Sequence, residues 1–130
     1  MATYLDSSAI VKLAIREPES AALRRYLGRS RHPLVSSALA RTEVLRALLP
    51  AGSEAVARGR SVLQRLDLVR VNDRVLNAAA VLQPAELRSP DAIHLATAQQ
   101  LEDDLTALVT YDDRMVAAAK QLRYRIVQPR

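Results

Sequence analysis

Cysteine is absent from the 130 residues, and so are tryptophan and phenylalanine. Without cysteine the chain has no disulfide, no thiolate zinc site and no thiol nucleophile, which suits a reducing cytoplasm, where we expect the protein to be located. Four tyrosines are the only aromatic residues, too few for the base-stacking surface of a typical single-strand binder. No apolar run approaches the ~20 residues of a bilayer-spanning helix, and no basic stretch precedes an apolar one at the start, so we expect no membrane anchor and no targeting segment.

Basic residues outnumber acidic ones, and nearly all of them are arginine. Nineteen lysines and arginines stand against fourteen acids, for a formal net charge of +5, and only Lys12 and Lys120 are lysines. Four arginines fall within RRYLGRSR, residues 24–31. Because the planar guanidinium matches phosphate oxygens, this composition favours an anionic partner such as RNA. An ordinary solvated surface explains the same arginines, and composition alone leaves both interpretations open.

Short apolar segments alternate with amphipathic ones along the whole chain. Strands are predicted at 2–5, 33–37, 66–71, 105–110 and 124–127, and helices at 8–15, 19–27, 38–49, 54–65, 74–82, 89–101 and 113–122. Pro18 and Gly28 are predicted to bound the second helix, and Ser89 to cap the sixth. Together with a composition typical of a soluble globular protein, the alternation predicts one α/β domain with a parallel sheet and helices on both faces.

Two aspartates follow predicted strands directly. Asp6 comes after the first strand and Asp112 after the fourth, each just before a helix. In a parallel sheet both would lie at the carboxyl edge, where ligands of such folds bind. Taken alone, each aspartate is better explained as a helix cap, since a carboxylate there accepts backbone N–H bonds worth about 1 kcal/mol.

Two further acids lie on predicted helices. Glu43 follows apolar positions one helical turn away, which indicates a carboxylate emerging along a partly buried strip; the alternative is a surface pair with Arg46, three residues on. Asp91 opens the helix that continues with AIHLATA. Its alternative is a residue favoured in the first turn by the helix dipole.

Four sequence blocks together resemble a known family. They are YLDSSAIVKL, SSALARTEVLRAL, LRSPDAIHLATA and LVTYDDRM. In this order and spacing they resemble the PIN-domain family, in particular the VapC-type toxins of bacterial toxin–antitoxin pairs. The resemblance implies a single PIN domain over residues 1–130, with a three-layer α/β/α sandwich around a parallel sheet of four or five strands. It also implies a ribonuclease whose acids, Asp6, Glu43, Asp91 and Asp112, surround one or two divalent ions.

Elementary electrostatics explains why such a site would need a metal. Two carboxylates ~4 Å apart repel by about 4 kcal/mol at an effective dielectric of ~20, so a cluster of them requires a cation or added protons. Oxygen ligands select Mg²⁺ or Mn²⁺, and a metal-bound water can act as the nucleophile. We expect Asp6 and Asp91 to ligate the main ion, and Glu43 and Asp112 to bind through water or to orient the attacking water as base.

Several neighbours of these acids have more than one interpretation. The family's Thr-x-Asp pattern falls on Thr110 and Asp112, which leaves Asp113 as the expected helix cap, although the two aspartates could exchange roles. Thr110 and Ser7 could support ligands through hydrogen bonds or act as turn hydroxyls, the preferred interpretation for Ser7. His94 is predicted to be a packed or hydrogen-bonded residue rather than a ligand.

Other functions fit the sequence less well. The segment after the first strand lacks the glycine-rich loop of a phosphate-binding NTPase. A phospho-acceptor domain needs a lysine at the end of a late strand, whereas both lysines of this sequence fall in predicted helices. The alternative that remains is a catalytically inactive RNA- or protein-binding PIN-like module. The resemblance further implies a cognate VapB-type antitoxin, a homodimer, and a transfer or ribosomal RNA substrate.

Overall fold

The computed structural model describes all 130 residues as five strands, seven α-helices and two short 3₁₀ turns. The strands are β1 (Ala2–Leu5), β2 (Leu34–Ser37), β3 (Asp67–Val69), β4 (Leu105–Val109) and β5 (Ile126–Val127). The helices are α1 (Ser7–Ala14), α2 (Ser20–Arg29), α3 (Ala40–Leu48), α4 (Ser53–Gln64), α5 (Asp73–Ala80), α6 (Ser89–Gln99) and α7 (Asp113–Gln121). None of the helices combines the length and the apolar character that a membrane span requires.

All five strands run parallel, in the order β3-β2-β1-β4-β5. The chain builds outward from β1 through β2 to β3, and then returns to the other side of β1 to add β4 and β5. The strand order therefore reverses between β1 and β4, the position at which open α/β sheets form a crevice at their carboxyl edge. The predicted α/β/α sandwich with a parallel sheet is confirmed.

The sheet separates two apolar clusters. Successive residues of a strand point to opposite faces, and the fully buried Tyr4 and Leu5 of β1 accordingly belong to different clusters. Leu5 packs with side chains of α1, α3 and α4, whereas Tyr4 packs with Leu95 of α6 and Met115 of α7. The apolar positions of each helix thus fix which face of the sheet it covers.

Helices α3 and α4 pack closely enough to require a glycine. A Cβ atom at Gly59 would lie 2.5 Å from the Cδ1 atom of the fully buried Leu48. Such a contact is far below van der Waals separation, so any larger residue would displace the leucine.

Some element boundaries differ from those that the sequence predicts. Helix α2 has Glu19 as its N-cap and continues through Gly28, which therefore does not end it. Ser89 is the first residue of α6, and Arg88 is the N-cap. Strands β3 and β5 are three and two residues long, shorter than predicted, because strands at the sheet edges have a hydrogen-bonded neighbour on one side alone.

Candidate active site

Asp6 occupies the crevice between β1 and β4. The residue is 3% exposed and caps α1, since its Oδ1 atom accepts hydrogen bonds from the backbone N–H of Ala9 at 3.1 Å and from the Ser8 hydroxyl at 2.6 Å. The Thr110 hydroxyl, just past β4, donates to the other oxygen. The capping interpretation is thus correct, yet the carboxylate also joins the ends of the two strands. Burial raises the pKa of Asp6, while the hydrogen bonds from Ser8 and Thr110 oppose that rise.

Glu43 of α3 is held by two donors rather than by a surface arginine. Its Oε1 atom accepts hydrogen bonds from the Ser7 hydroxyl at 2.7 Å and from Nε2 of His94 at 2.6 Å. Burial alone would raise the pKa of Glu43, but the hydrogen bonds from His94 and Ser7 hold it below its usual value. The alternative pair with Arg46 does not form. The expectation that Ser7 is a turn hydroxyl is wrong, because its hydroxyl donates a hydrogen bond to Glu43.

Asp91 lies in the first turn of α6, within electrostatic reach of the other three acids. Burial raises its pKa most, followed by the negative charge of Asp112; those of Asp6 and Glu43 act in the same direction. The charges of the other three acids named by the sequence therefore all reach Asp91.

Asp112 rather than Asp113 caps α7. The Oδ1 atom of Asp112 accepts from the backbone N–H groups of Arg114 at 2.9 Å and Met115 at 3.4 Å, and Asp113 is the first helical residue. The expected cap at Asp113 is thus wrong. Among the other acids, Asp112 raises the pKa of Asp91 most, so the carboxylate that caps α7 also lies within electrostatic reach of Asp91.

His94 lies behind the acids instead of among them. It is 2% exposed, and its two ring nitrogens contact Glu43 and the hydroxyl of Tyr4, the latter at 2.7 Å. This agrees with the prediction of a packed, hydrogen-bonded residue. Tyr4 is the neighbour that sequence reasoning missed, since a tyrosine within a buried strand carries no signal beyond its contribution to the core.

Comparisons with known proteins identify the family of this chain. The PIN domain family model matches residues 3–121. Ribonuclease VapC46 of Mycobacterium tuberculosis is 65% identical over 128 residues, which make up 98% of this chain and 98% of that protein. The chain belongs to the PIN-domain family, among the VapC ribonucleases.

Two solved structures share the fold of this PIN domain. VapC20 of M. tuberculosis, described as a sarcin-ricin loop cleaving toxin, has a TM-score of 0.79 at 15% identity and covers 98% of this chain and 99% of its own. A toxin–antitoxin complex from Klebsiella pneumoniae has a TM-score of 0.70 at 21% identity, with 98% of each chain covered. At such identities the likeness establishes the three-dimensional fold alone.

The acids of this PIN domain are not paired with lysine or arginine, and His94 is the one basic side chain in contact with them. No lysine or arginine forms an ion pair with any of the four acids. Lys12 of α1 is engaged elsewhere, at 3.4 Å from Glu17 and 2.8 Å from Glu19. The acids thus offer carboxylate oxygens and unbalanced negative charge, the donor type and charge that suit a hard divalent cation.

The carboxylates are not already arranged around a common point. No three histidine, aspartate or glutamate side chains lie close enough together to hold a metal ion. Both oxygens of Asp6 and one oxygen of Glu43 accept hydrogen bonds, and like charges favour separated carboxylates. Ion binding would therefore require carboxylates of the four acids to move closer together.

Proposed function

We propose that this chain is a metal-dependent endoribonuclease, the toxin of a toxin–antitoxin pair, acting through Asp6, Glu43, Asp91 and Asp112 with Mg²⁺ or Mn²⁺. The observation that carries the proposal is that Asp91 lies within electrostatic reach of Asp6, Glu43 and Asp112 near the crevice between β1 and β4, and that no lysine or arginine forms an ion pair with any of the four acids. We further propose that residues 1–130 form a single PIN domain.

The four acids would have different roles in the site. Asp6 is the fixed element, because hydrogen bonds from α1 and from Thr110 hold both of its oxygens. Asp91 and Asp6 would be the direct ligands. Glu43 and Asp112 would bind through water or orient the attacking water as base. When bound, the divalent ion supplies positive charge that polarises the phosphodiester and lowers the pKa of a bound water.

Two arginines beside the acids support an RNA substrate. Arg88 precedes α6 and Arg114 lies in the first turn of α7, so both neighbour the acids of those helices. Both side chains are exposed, neither forms an ion pair, and they line one groove of about 380 Å³. Guanidinium groups in this position suit the phosphates that flank a scissile bond. Transfer or ribosomal RNA is the proposed substrate class.

A cognate VapB-type antitoxin is the proposed inhibitor. A cationic side chain of such a partner would meet the unbalanced charge of the acidic edge. We also propose a homodimer, because Leu76 and Val81 are 44% and 77% exposed and border an apolar groove of about 490 Å³ beside α5 and α6. A reducing cytoplasm is the proposed compartment.

A cleavage assay tests the proposal. Transfer RNA and a ribosomal RNA fragment are incubated with the protein and Mg²⁺, with and without EDTA, using wild type, Asp6→Asn and the matched control Asp103→Asn. Asp103 is an exposed acid in the 3₁₀ turn before β4. We expect cleavage by wild type and the control, and none by Asp6→Asn or in EDTA.

The alternative, an inactive RNA-binding module, gives a different result. Such a module would bind the RNA equally well in all three forms and cleave it in none. In cells, expression of the chain alone should arrest growth, and co-expression of the antitoxin should relieve the arrest. A chain that is harmless when expressed alone would contradict the toxin assignment.

A further inference from the structure

A buried chain of polar groups leads from the core to the acidic edge. The Tyr4 hydroxyl lies 2.7 Å from Nδ1 of His94, and Nε2 of His94 lies 2.6 Å from Oε1 of Glu43. The rings of Tyr4 and His94 also meet edge to face, with centroids 5.9 Å apart. Tyr4 is fully buried and His94 is 2% exposed. The three residues come from β1, α6 and α3, so the contacts join three elements that are distant in sequence.

The contact between His94 and Glu43 allows only one assignment of hydrogen-bond donor and acceptor. The glutamate is a carboxylate and can only accept, so Nε2 of His94 must carry the hydrogen in that contact. In the neutral tautomer that meets this requirement Nδ1 is an acceptor, for which the Tyr4 hydroxyl is the matching donor at 2.7 Å. Tyr4 therefore selects the histidine tautomer that donates to Glu43, as partners behind ligand-supporting imidazoles commonly do.

One oxygen of Glu43 is anchored and the other is free. Ser7 and His94 both donate to Oε1, and Oε2 accepts no hydrogen bond. An anchored Oε1 fixes the orientation of the carboxylate and leaves Oε2 for a ligand or a water. Because His94 is on the same helix as Asp91, one turn later, α6 sets the position of two of the acids: Asp91 directly and Glu43 through the imidazole.

We propose that His94, oriented by Tyr4, is a positioning residue that presents the Glu43 carboxylate to the divalent ion. The inference rests on the proposed function, since it requires that the acids bind metal. It assigns His94 no contact with the ion or with RNA. Its effect passes through the hydrogen bond to Oε1, so removing the imidazole donor should weaken metal binding while leaving the fold intact.

Two substitutions at His94 separate positioning from packing. The amide nitrogen of glutamine reaches about as far from the backbone as Nε2, so His94→Gln keeps a donor for Glu43. Asparagine reaches only as far as Nδ1, so His94→Asn keeps an acceptor for Tyr4 and loses the donor. Mn²⁺ binding to the isolated protein is measured by calorimetry. We expect His94→Asn to weaken Mn²⁺ affinity about 10- to 100-fold, the usual cost of losing an outer hydrogen-bond partner, and His94→Gln to stay within about threefold of wild type.

The Tyr4→Phe variant provides a second measurement, at the hydrogen-bond partner of His94 that lies farthest from Glu43. It keeps the ring and removes the hydroxyl that selects the tautomer, so it should weaken Mn²⁺ affinity in the same direction as His94→Asn, by a smaller factor. Circular dichroism establishes that each variant is folded. If His94→Asn does not fold, the comparison of Tyr4→Phe and His94→Gln with wild type still decides the matter. Wild-type affinity in Tyr4→Phe together with a large loss in His94→Gln would overturn the proposal.

A spectroscopic signature tests the contact directly. The chain has two histidines, so nitrogen-15 labelling of histidine gives two resolvable side chains, His32 and His94. Titration with diamagnetic Mg²⁺ should shift the His94 nitrogen resonances and leave those of His32 unchanged, and the response should be lost in Glu43→Gln. An unresponsive His94 in a protein that binds Mg²⁺ would contradict the proposal.

The outcomes distinguish this inference from the proposed function. Mn²⁺ affinity that is equal in wild type, His94→Asn and His94→Gln, with cleavage that still depends on Asp91, would refute the positioning role alone. Absence of Mn²⁺ binding by wild type, or binding unchanged in Asp91→Asn, would refute the metal site and the positioning role with it.

Discussion

Replacement of Thr110 by valine tests how much the Thr110 hydroxyl stabilises the buried carboxylate of Asp6. Thr110 is fully buried, and its hydroxyl donates to Asp6 and accepts from the backbone N–H of Asp112 at 3.1 Å. Valine has nearly the same shape but no hydroxyl, so Thr110→Val removes the donor without opening a cavity. One oxygen of Asp6 would then be left without its partner in the crevice.

The magnitude follows from the charge of the acceptor. A hydrogen bond to an ionised group is worth about 1.5–3 kcal/mol, so we expect Thr110→Val to lower the free energy of unfolding by about 2 kcal/mol at neutral pH. At roughly 2.1 cal/mol/K of unfolding entropy per residue, a chain of 130 residues would lose about 7 °C in Tm. Urea and thermal unfolding measure the two quantities.

The pH dependence identifies the group responsible. Burial raises the pKa of Asp6 above 3.8, so the stability that Asp6 contributes is greatest in acid and falls as the pH rises through its folded pKa. Thr110 favours the ionised form and offsets part of that fall. The deficit of Thr110→Val relative to wild type should therefore be larger at pH 8 than in acid, where Asp6 is protonated.

The control for this prediction is Thr110→Ser. Serine keeps the hydroxyl and loses one buried methyl group, which costs about 0.8 kcal/mol independently of pH. In an Asp6→Asn background the pH dependence of the Thr110→Val deficit should disappear. A deficit for Thr110→Val that is the same at every pH, or no larger than that of Thr110→Ser, would refute the reasoning.

Three further predictions follow from the geometry. Asp91→Asn should raise Tm, and the gain should grow as the pH rises above 3.8, because burial and the neighbouring acids raise the pKa of Asp91. The same substitution should lower RNA cleavage at least about 100-fold, since losing even an outer partner of a metal ligand costs about 10–100-fold. Arg88→Ala and Arg114→Ala should each reduce the slope of log affinity for RNA against log salt by roughly 0.7–1 in a cleavage-inactive background, while Arg60→Ala, at an exposed position on α4, should not. Gly59→Ala should destabilise the protein by about 1 kcal/mol in urea unfolding, because crowding in a packed core outweighs the gain in helix propensity; a stabilised variant would contradict the close packing of α3 and α4.

The sequence predicts the fold and two of the four acids for local reasons. Asp6 and Asp112 directly follow apolar strands, and the alternation of strands and helices implies parallel pairing, so their meeting at one edge is deducible without coordinates. Glu43 and Asp91 required the resemblance to the PIN family, because each has an equally good local explanation. The structure removes one of these explanations, since Glu43 bonds to Ser7 and His94 and not to Arg46.

The sequence named Thr110 and Ser7 as possible hydrogen-bonding supports, but it could not give the partners of the supporting residues, because the contacts join distant segments. Tyr4 and His94 are 90 residues apart, and Thr110 and Asp6 are 104 apart, so no spacing rule connects them. The choice between Asp112 and Asp113 as cap depends on backbone conformation. Asp112 is extended, with φ −91° and ψ 117°, which is the conformation of an N-cap, and two adjacent aspartates give no local signal of it.

The kind of donor around the acids has a functional consequence. Ser7, Ser8 and Thr110 offer neutral hydroxyls, which stabilise the carboxylates without cancelling their charge. An arginine there would bind the carboxylates through two N–H groups and occupy the position of a cation. In a chain with seventeen arginines, none forms an ion pair with the acidic edge. The edge therefore keeps its negative charge for a cation from outside, and the proposed divalent ion and a basic side chain of the proposed antitoxin would compete for it.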